Sequence, residues 1–168
     1  MIGVANKLTG GDFLKANPAT GQTLIEAIKR EIEGREFYLA LAKTIKNPLV
    51  RRKILGLADD ELEHRETLSR LYWAQTGTEV GDFQDFEVNV ELPDVENMSY
   101  SDLLKMAMDK EKKAANTYME MAEKENNERS ASFLEYLAEF EEGHYDILAA
   151  ELEKMGKTPG WEDQGPSD

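Results

Sequence analysis

Two short stretches decide how this chain folds: Glu61-Leu62-Glu63-His64 and Glu141-Glu142-Gly143-His144. They lie 80 positions apart, and the same offset relates Glu31 to Glu111, Tyr38 to Tyr118, Ala27 to Ala107, Leu57 to Leu137 and Leu68 to Leu148. The chain has 2 histidines, and both fall at matching places in this repeat. Each copy reads as two helices, the first with a single glutamate on its apolar stripe and the second with a Glu-x-x-His.

Apolar residues stepping by three and four predict helices over about 22–46, 49–76, 99–126 and 129–155. The first has the stripe Ile28, Glu31, Arg35, Tyr38, Ala42, Ile45, with Thr20 or Thr23 as its cap and Glu26 completing a capping box. Asn47-Pro48 ends it, since the residue before a proline leaves the helical region, and Pro48 suits the start of the second. Gly77 stops the second helix, Ser99 or Ser101 caps the third, and Gly156 stops the fourth. Residues 77–98 are too many for a tight helix–helix turn. They predict a crossover that sets the third helix parallel to the second, with Phe83, Phe86, Val88, Val90 and Leu92 alternating along an extended strap. Residues 1–20 read as an irregular arm with a short turn around Phe13 and Leu14, and 157–168 as an irregular tail that Trp161 anchors on the surface. The expected architecture is an all-α four-helix bundle over about 22–155, two helix hairpins joined by a long crossover, within one domain spanning 1–168.

The formal net charge is -14, with no basic run, which argues against nucleic acid and anionic membranes as partners. The acidity serves solubility, or a field that draws cations. There is no cysteine, so disulfides, thiol catalysis and cysteine-ligated clusters are excluded. No apolar run is long enough for a membrane span, and the first residues carry no signal-peptide pattern, so a cytoplasmic location is expected.

The four glutamates Glu31, Glu61, Glu111 and Glu141 all sit on apolar stripes near the middle of their helices. An unpaired buried carboxylate costs several kcal/mol or takes up a proton, and four together repel one another. Arg35 is the one cation at a comparable stripe position, and one arginine cannot neutralise four carboxylates. Two divalent cations can. Glu at i and His at i+3 share a helix face. Single glutamates from two helices, with Glu-x-x-His from the other two, is the arrangement that holds a metal pair in a bundle core. The candidate ligands are Glu31, Glu61, His64, Glu111, Glu141 and His144, and this mix of oxygen and nitrogen suits iron, manganese or a mixed pair. The bland alternative is a polar core of His–Glu pairs. Tyr38 and Tyr118 lie two turns beyond Glu31 and Glu111, as large core residues or as hydrogen-bond donors to the metal-bound carboxylates. Glu63, Glu66, Asp59, Asp60, Glu139 and Glu142 read as solvated face.

Glu31…Tyr38, Glu61-x-x-His64, Glu111…Tyr118 and Glu141-x-x-His144 resemble the ferritin-like superfamily, and most closely its rubrerythrin branch, over about 22–155. The resemblance implies two irons per chain held by those six residues, and reduction of hydrogen peroxide or dioxygen at the reduced site, with ferroxidase activity in some members. Homodimers are common in the family. Rubrerythrins typically carry a cysteine-ligated rubredoxin domain that passes electrons on; with no cysteine here, the electron donor is expected to be a separate protein. The branch also has a second carboxylate three residues after the first on the third helix, where this chain has Ala114. Bacterioferritins share the six-ligand pattern, but the tail with Gly156, Pro159, Gly160 and Pro166 does not read as their fifth helix, so no cage is expected. The alternative functions are iron sequestration or delivery with only slow redox chemistry, and a module enclosed by a partner through the acidic tail.

Overall fold

A computed structural model describes residues 18–81 and 98–161. The turn around Phe13 and Leu14, the strap from Phe83 to Leu92 and the tail beyond Trp161 lie outside the described residues. Four helices form: α1 (Pro18–Thr44), α2 (Pro48–Thr76), α3 (Tyr100–Lys124) and α4 (Glu128–Lys157). No described helix is long and apolar enough to cross a membrane.

The ends are set by identifiable side chains. Asn47 Oδ1 accepts from the amides of Leu49 (3.0 Å) and Val50 (3.3 Å), and Asn127 Oδ1 accepts from that of Ser130 (3.0 Å). These two caps are themselves 80 positions apart, so the repeat extends to how α2 and α4 begin. Ser99 Oγ accepts from the Asp102 amide at 3.1 Å. Gly77 closes α2 in the left-handed region at φ 69, where a side chain would be strained, and its N–H donates to Trp73 O at 2.8 Å.

Two helix ends and the place of Trp161 differ from the sequence reading. α1 starts at Pro18, whose missing N–H costs nothing in a first turn. Thr20 and Thr23 are therefore inside the helix: Thr20 donates to Glu125 Oε1 at 2.7 Å, and Thr23 back-bonds to Ala19 O at 3.1 Å. α4 runs through Gly156 to Lys157, held in its last turn by the Lys157–Glu153 pair. Trp161 is not a surface anchor but buried, 6% exposed, with its ring edge-on to Tyr100 and its carbonyl accepting from Asn47 Nδ2 at 2.8 Å.

α1 packs on α2 and α3 on α4 as two hairpins, laid face to face. Thr20 at the start of α1 meets Glu125 just beyond α3, and Lys53 early in α2 pairs with Glu151 late in α4. Gln75 near the end of α2 bonds Asn127 at the start of α4. α1 is therefore antiparallel to α3, and α2 to α4. It follows that α2 and α3 are parallel, so the end of α2 and the start of α3 lie at opposite ends of the bundle.

The core is in two apolar parts. Tyr38, Leu41, Ile45, Ile54, Leu57, Leu104 and Leu148 fill one, closed by Trp161. Leu24, Ile28, Leu68, Tyr118, Leu134 and Leu137 fill the other. The repeated glutamates and histidines are buried with them. Asn47 both caps α2 and ties down Trp161. Asn47→Ala is expected to lower stability by about 1–2 kcal/mol, measured as a shift in the urea unfolding midpoint.

Candidate metal centre

All six repeated residues converge. Glu31, Glu61, Glu111 and Glu141 are 1–3% exposed, and His64 and His144 are equally buried. Their ligand atoms form two overlapping groups, Glu31, Glu61, His64 and Glu141, and Glu61, Glu111, Glu141 and His144. Within each group the atoms lie within 4.8 Å of one another, close enough for one ion. Glu61 and Glu141 belong to both.

The helix register explains the convergence. Each Glu-x-x-His spans one turn, so carboxylate and imidazole leave the same face. His144 Nδ1 lies 3.2 Å from Glu141 Oε2, and also 3.8 Å from Glu111 Oε2 and 3.9 Å from Glu61 Oε1. His64 Nδ1 lies 3.3 Å from Glu31 Oε2 and 3.6 Å from Glu61 Oε2. Both histidines thus turn Nδ1 inward.

The charges are badly compensated by protein alone. Burial, then the neighbouring carboxylates of Glu31 and Glu141, push the Glu61 carboxyl well above the usual range. Burial and the hydrogen bond with Glu141 do the same to Glu111. At Glu141 burial pushes upward too, but hydrogen bonds from Glu111 and His144 outweigh it and lower the group. Burial opposes charge on His144, yet Glu111, Glu141 and Glu61 together raise it to about 11. Among the described residues, Glu31 Oε2, Glu61 Oε2 and His64 Nδ1 have no hydrogen-bond partner. Buried ligand atoms left over in this way, with hard oxygen and imidazole donors, fit divalent cations.

The tyrosines behave differently from each other. Tyr118 donates its hydroxyl to Glu31 Oε1, and burial first, then Glu31 and Glu141, holds that phenol protonated. Tyr38 is equally buried, but its hydroxyl has no partner among the described residues.

Two residues were not legible as part of this site. Arg35, expected on the core stripe, is 30% exposed and pairs with Glu36 at 3.6 Å. Its place is taken by Gly34, buried against Glu61: a Cβ there would stand 2.9 Å from Glu61 Oε1. Asp60, read as solvated face, is 43% exposed, yet its Oδ2 lies 3.4 Å from His144 Nε2. The cue for Gly34 was a glycine in mid-helix, which costs about 1 kcal/mol unless it serves packing.

Between α1 and α3 a half-open cavity of about 310 Å³ reaches Glu61, Glu111 and Glu141, with Gly34, Ala114 and Tyr118 also on its walls. Arg30, Glu33, Asp109, Lys110 and Lys113 line it as well, so its approach carries both signs of charge.

The family model described as Rubrerythrin matches residues 22–152. Among solved structures, one described as a hypothetical protein from Pyrococcus furiosus is similar, with 34% identity, a TM-score of 0.61, and coverage of 80% of this chain and 88% of that one. Among curated proteins none matches the chain.

Two expectations follow. In the metal-free chain, Glu61, Glu111 and His144 hold protons in the folded state that the unfolded chain releases earlier. The His144 contribution to stability is complete below 6.5 and lost as pH rises through about 11, and the two raised glutamates act in the same direction from 4.5 upward, against the opposite pull of Glu141. The melting temperature of metal-stripped protein should therefore fall from about pH 5 to about pH 9, and a divalent cation should restore it most at the alkaline end, releasing protons as it binds. Gly34→Ala should displace the Glu61 carboxylate and weaken metal affinity about tenfold or more, read by titration with ferrous ion under nitrogen.

Proposed function

The chain belongs to the rubrerythrin family, and from that premise we propose that its buried cluster holds two iron ions and reduces hydrogen peroxide or dioxygen, with electrons from a separate donor protein. One observation carries this reading: the two groups of ligand atoms overlap on Glu61 and Glu141. Two ions could then be held by one cluster, with Glu61 and Glu141 offering ligand atoms to either. Glu31 and His64 complete one position, and Glu111 and His144 the other. Four carboxylates balance two divalent ions, and neutral imidazole adds no charge.

Ferrous ions held there would supply the two electrons that reduce one hydrogen peroxide to water, and dioxygen would need a second pair from the donor protein. The chain's own residues supply the rest. Glu61 and Glu141, on facing hairpins, are the carboxylates that would be shared by both ions. Tyr118 keeps its proton on the phenol oxygen and, by donating to Glu31 Oε1, fixes that carboxylate's orientation. Gly34 and Ala114 carry nothing beyond Cβ, which leaves the α1–α3 cavity open for a small oxidant to reach Glu61, Glu111 and Glu141. On the other side of the cluster the rings of Tyr136 and Phe140 stand edge-on against His64.

The test is stopped-flow absorbance of ferrous-loaded protein against hydrogen peroxide and against air-saturated buffer. Peroxide should oxidise the site about tenfold faster or more, and turnover should continue when a reductant is supplied. Equal, slow rates without turnover would replace this reading with iron sequestration. The double variant Glu61→Ala, Glu141→Ala should lose paired metal binding; retained occupancy of two ions would overturn the ligand assignment.

A further inference from the structure

The repeat lets each outer face of the bundle be compared with its own counterpart 80 positions away. Both hairpins meet the same inward demands, so a difference between their outer faces is not required by the packing of the core.

Between α1 and α2 the outer surface holds a half-open groove of about 520 Å³, lined by Glu36, Leu39, Ala40 and Lys43 of α1 and by Arg51 and Leu55 of α2. The matching places on α3 and α4 hold Asn116, Met119, Glu120, Glu123, Ala131 and Glu135. The first face has an apolar middle and charges of both signs; the second has three glutamates and no cation at these places. Leu55 is 39% exposed and Leu49, nearer the start of α2, is 55% exposed, where the repeat has Glu135 and Arg129. Gly56 stands beside Leu55 in mid-helix, where the repeat has Tyr136. Glycine weakens a helix at such a position. Among the described residues nothing lies within 4 Å of the Cβ it lacks, so packing inside the chain does not call for it. It leaves the α2 backbone open to close approach from outside.

The order of the charges says what fits the face. Glu36, then Leu39 and Ala40, then Lys43 share one stripe of α1. Arg51, Leu55 and Asp59 share one stripe of α2. The two helices run in opposite directions from the turn at 45–47, so Lys43 and Arg51 lie at the turn end and Glu36 and Asp59 at the far end. Arg51 is held in place by donating Nε to Ile45 O at 2.8 Å. Glu36 has Arg35 beside it at 3.6 Å, an exposed pair that competes little with another cation. The face is thus positive, apolar and negative in turn. Rotated by half a turn about its apolar middle, it is its own complement. The acidic α3–α4 face repels its own copy instead.

We propose that the outer face of the α1–α2 hairpin is an interface with a second copy of this chain. A two-fold axis passes over Leu39 and Leu55, so that Glu36 and Asp59 of each copy meet Lys43 and Arg51 of the other, and Gly56 lets the two α2 helices come close. The interface lies on a different side of the bundle from the α1–α3 cavity, and it depends on no metal.

The test is sedimentation velocity of the full chain from micromolar to hundreds of micromolar. The wild type should sediment as a dimer. Leu55→Glu should raise the dissociation constant about a hundredfold. Glu36→Lys and Lys43→Glu should each raise it about tenfold or more, because each sets like charges against one another twice across the axis. Mixed in equal amounts, these two variants should associate more tightly than either does alone, since every lysine at these places then meets a glutamate. That rescue also separates a lost interface from a lost fold, because two misfolded chains do not restore one another. A wild type that is monomeric at every concentration overturns the proposal and leaves the face to a different partner. A dimer that ignores all three substitutions places the interface elsewhere, and charge variants that weaken the dimer without rescue on mixing overturn the two-fold arrangement.

Discussion

Four carboxylates buried beside two histidines in the middle of a helical bundle are the constraint on which everything else here depends. Glu31, Glu61, Glu111 and Glu141 are almost fully buried, and Arg35, the basic candidate on the stripes, is half-buried and pairs with Glu36. Protons relieve part of the repulsion, raising Glu61, Glu111 and His144 together. Bound divalent metal would relieve it more completely, by replacing those protons with charge that the carboxylates can share. The fold tolerates the cluster because apolar packing lies on both sides of it.

The bundle was legible because the pattern was written twice. A single Glu-x-x-His says little on a helix rich in glutamate. Two copies at one offset, each preceded by a buried glutamate, fix the four helices and the six residues that meet. Helix order and direction followed from connection lengths: the long 77–98 link suggested a crossover, and the pairs Thr20–Glu125 and Gln75–Asn127 give α2 and α3 the parallel orientation that goes with it.

What was not legible depends on shape at close range. A stripe drawn at steps of three and four runs through Arg35, whereas the helix buries Gly34, because the Glu61 carboxylate comes too close to α1 for any side chain. Asp60 lies at the edge of its stripe, and nothing in its spacing distinguishes it from Asp59. Only the pose of the His144 ring, set by Glu141, brings it into the argument. The start of α1 was missed because Thr20 has a cap's chemistry but spends its hydroxyl on Glu125, a partner 105 residues away.

The division of the ligands between hairpins bears on the order of assembly. The α1–α2 hairpin contains Glu31, Glu61 and His64; the α3–α4 hairpin contains Glu111, Glu141 and His144. Each hairpin is local in sequence and can form early, since neighbouring helices close short loops at small entropic cost. Either one alone offers half of the donors, too few to close a coordination shell. Full chelation would arise only when the two halves dock, so a metal bound there would act as a late clasp: a half-formed chain would not capture it tightly, and once captured it would oppose the separation of the halves.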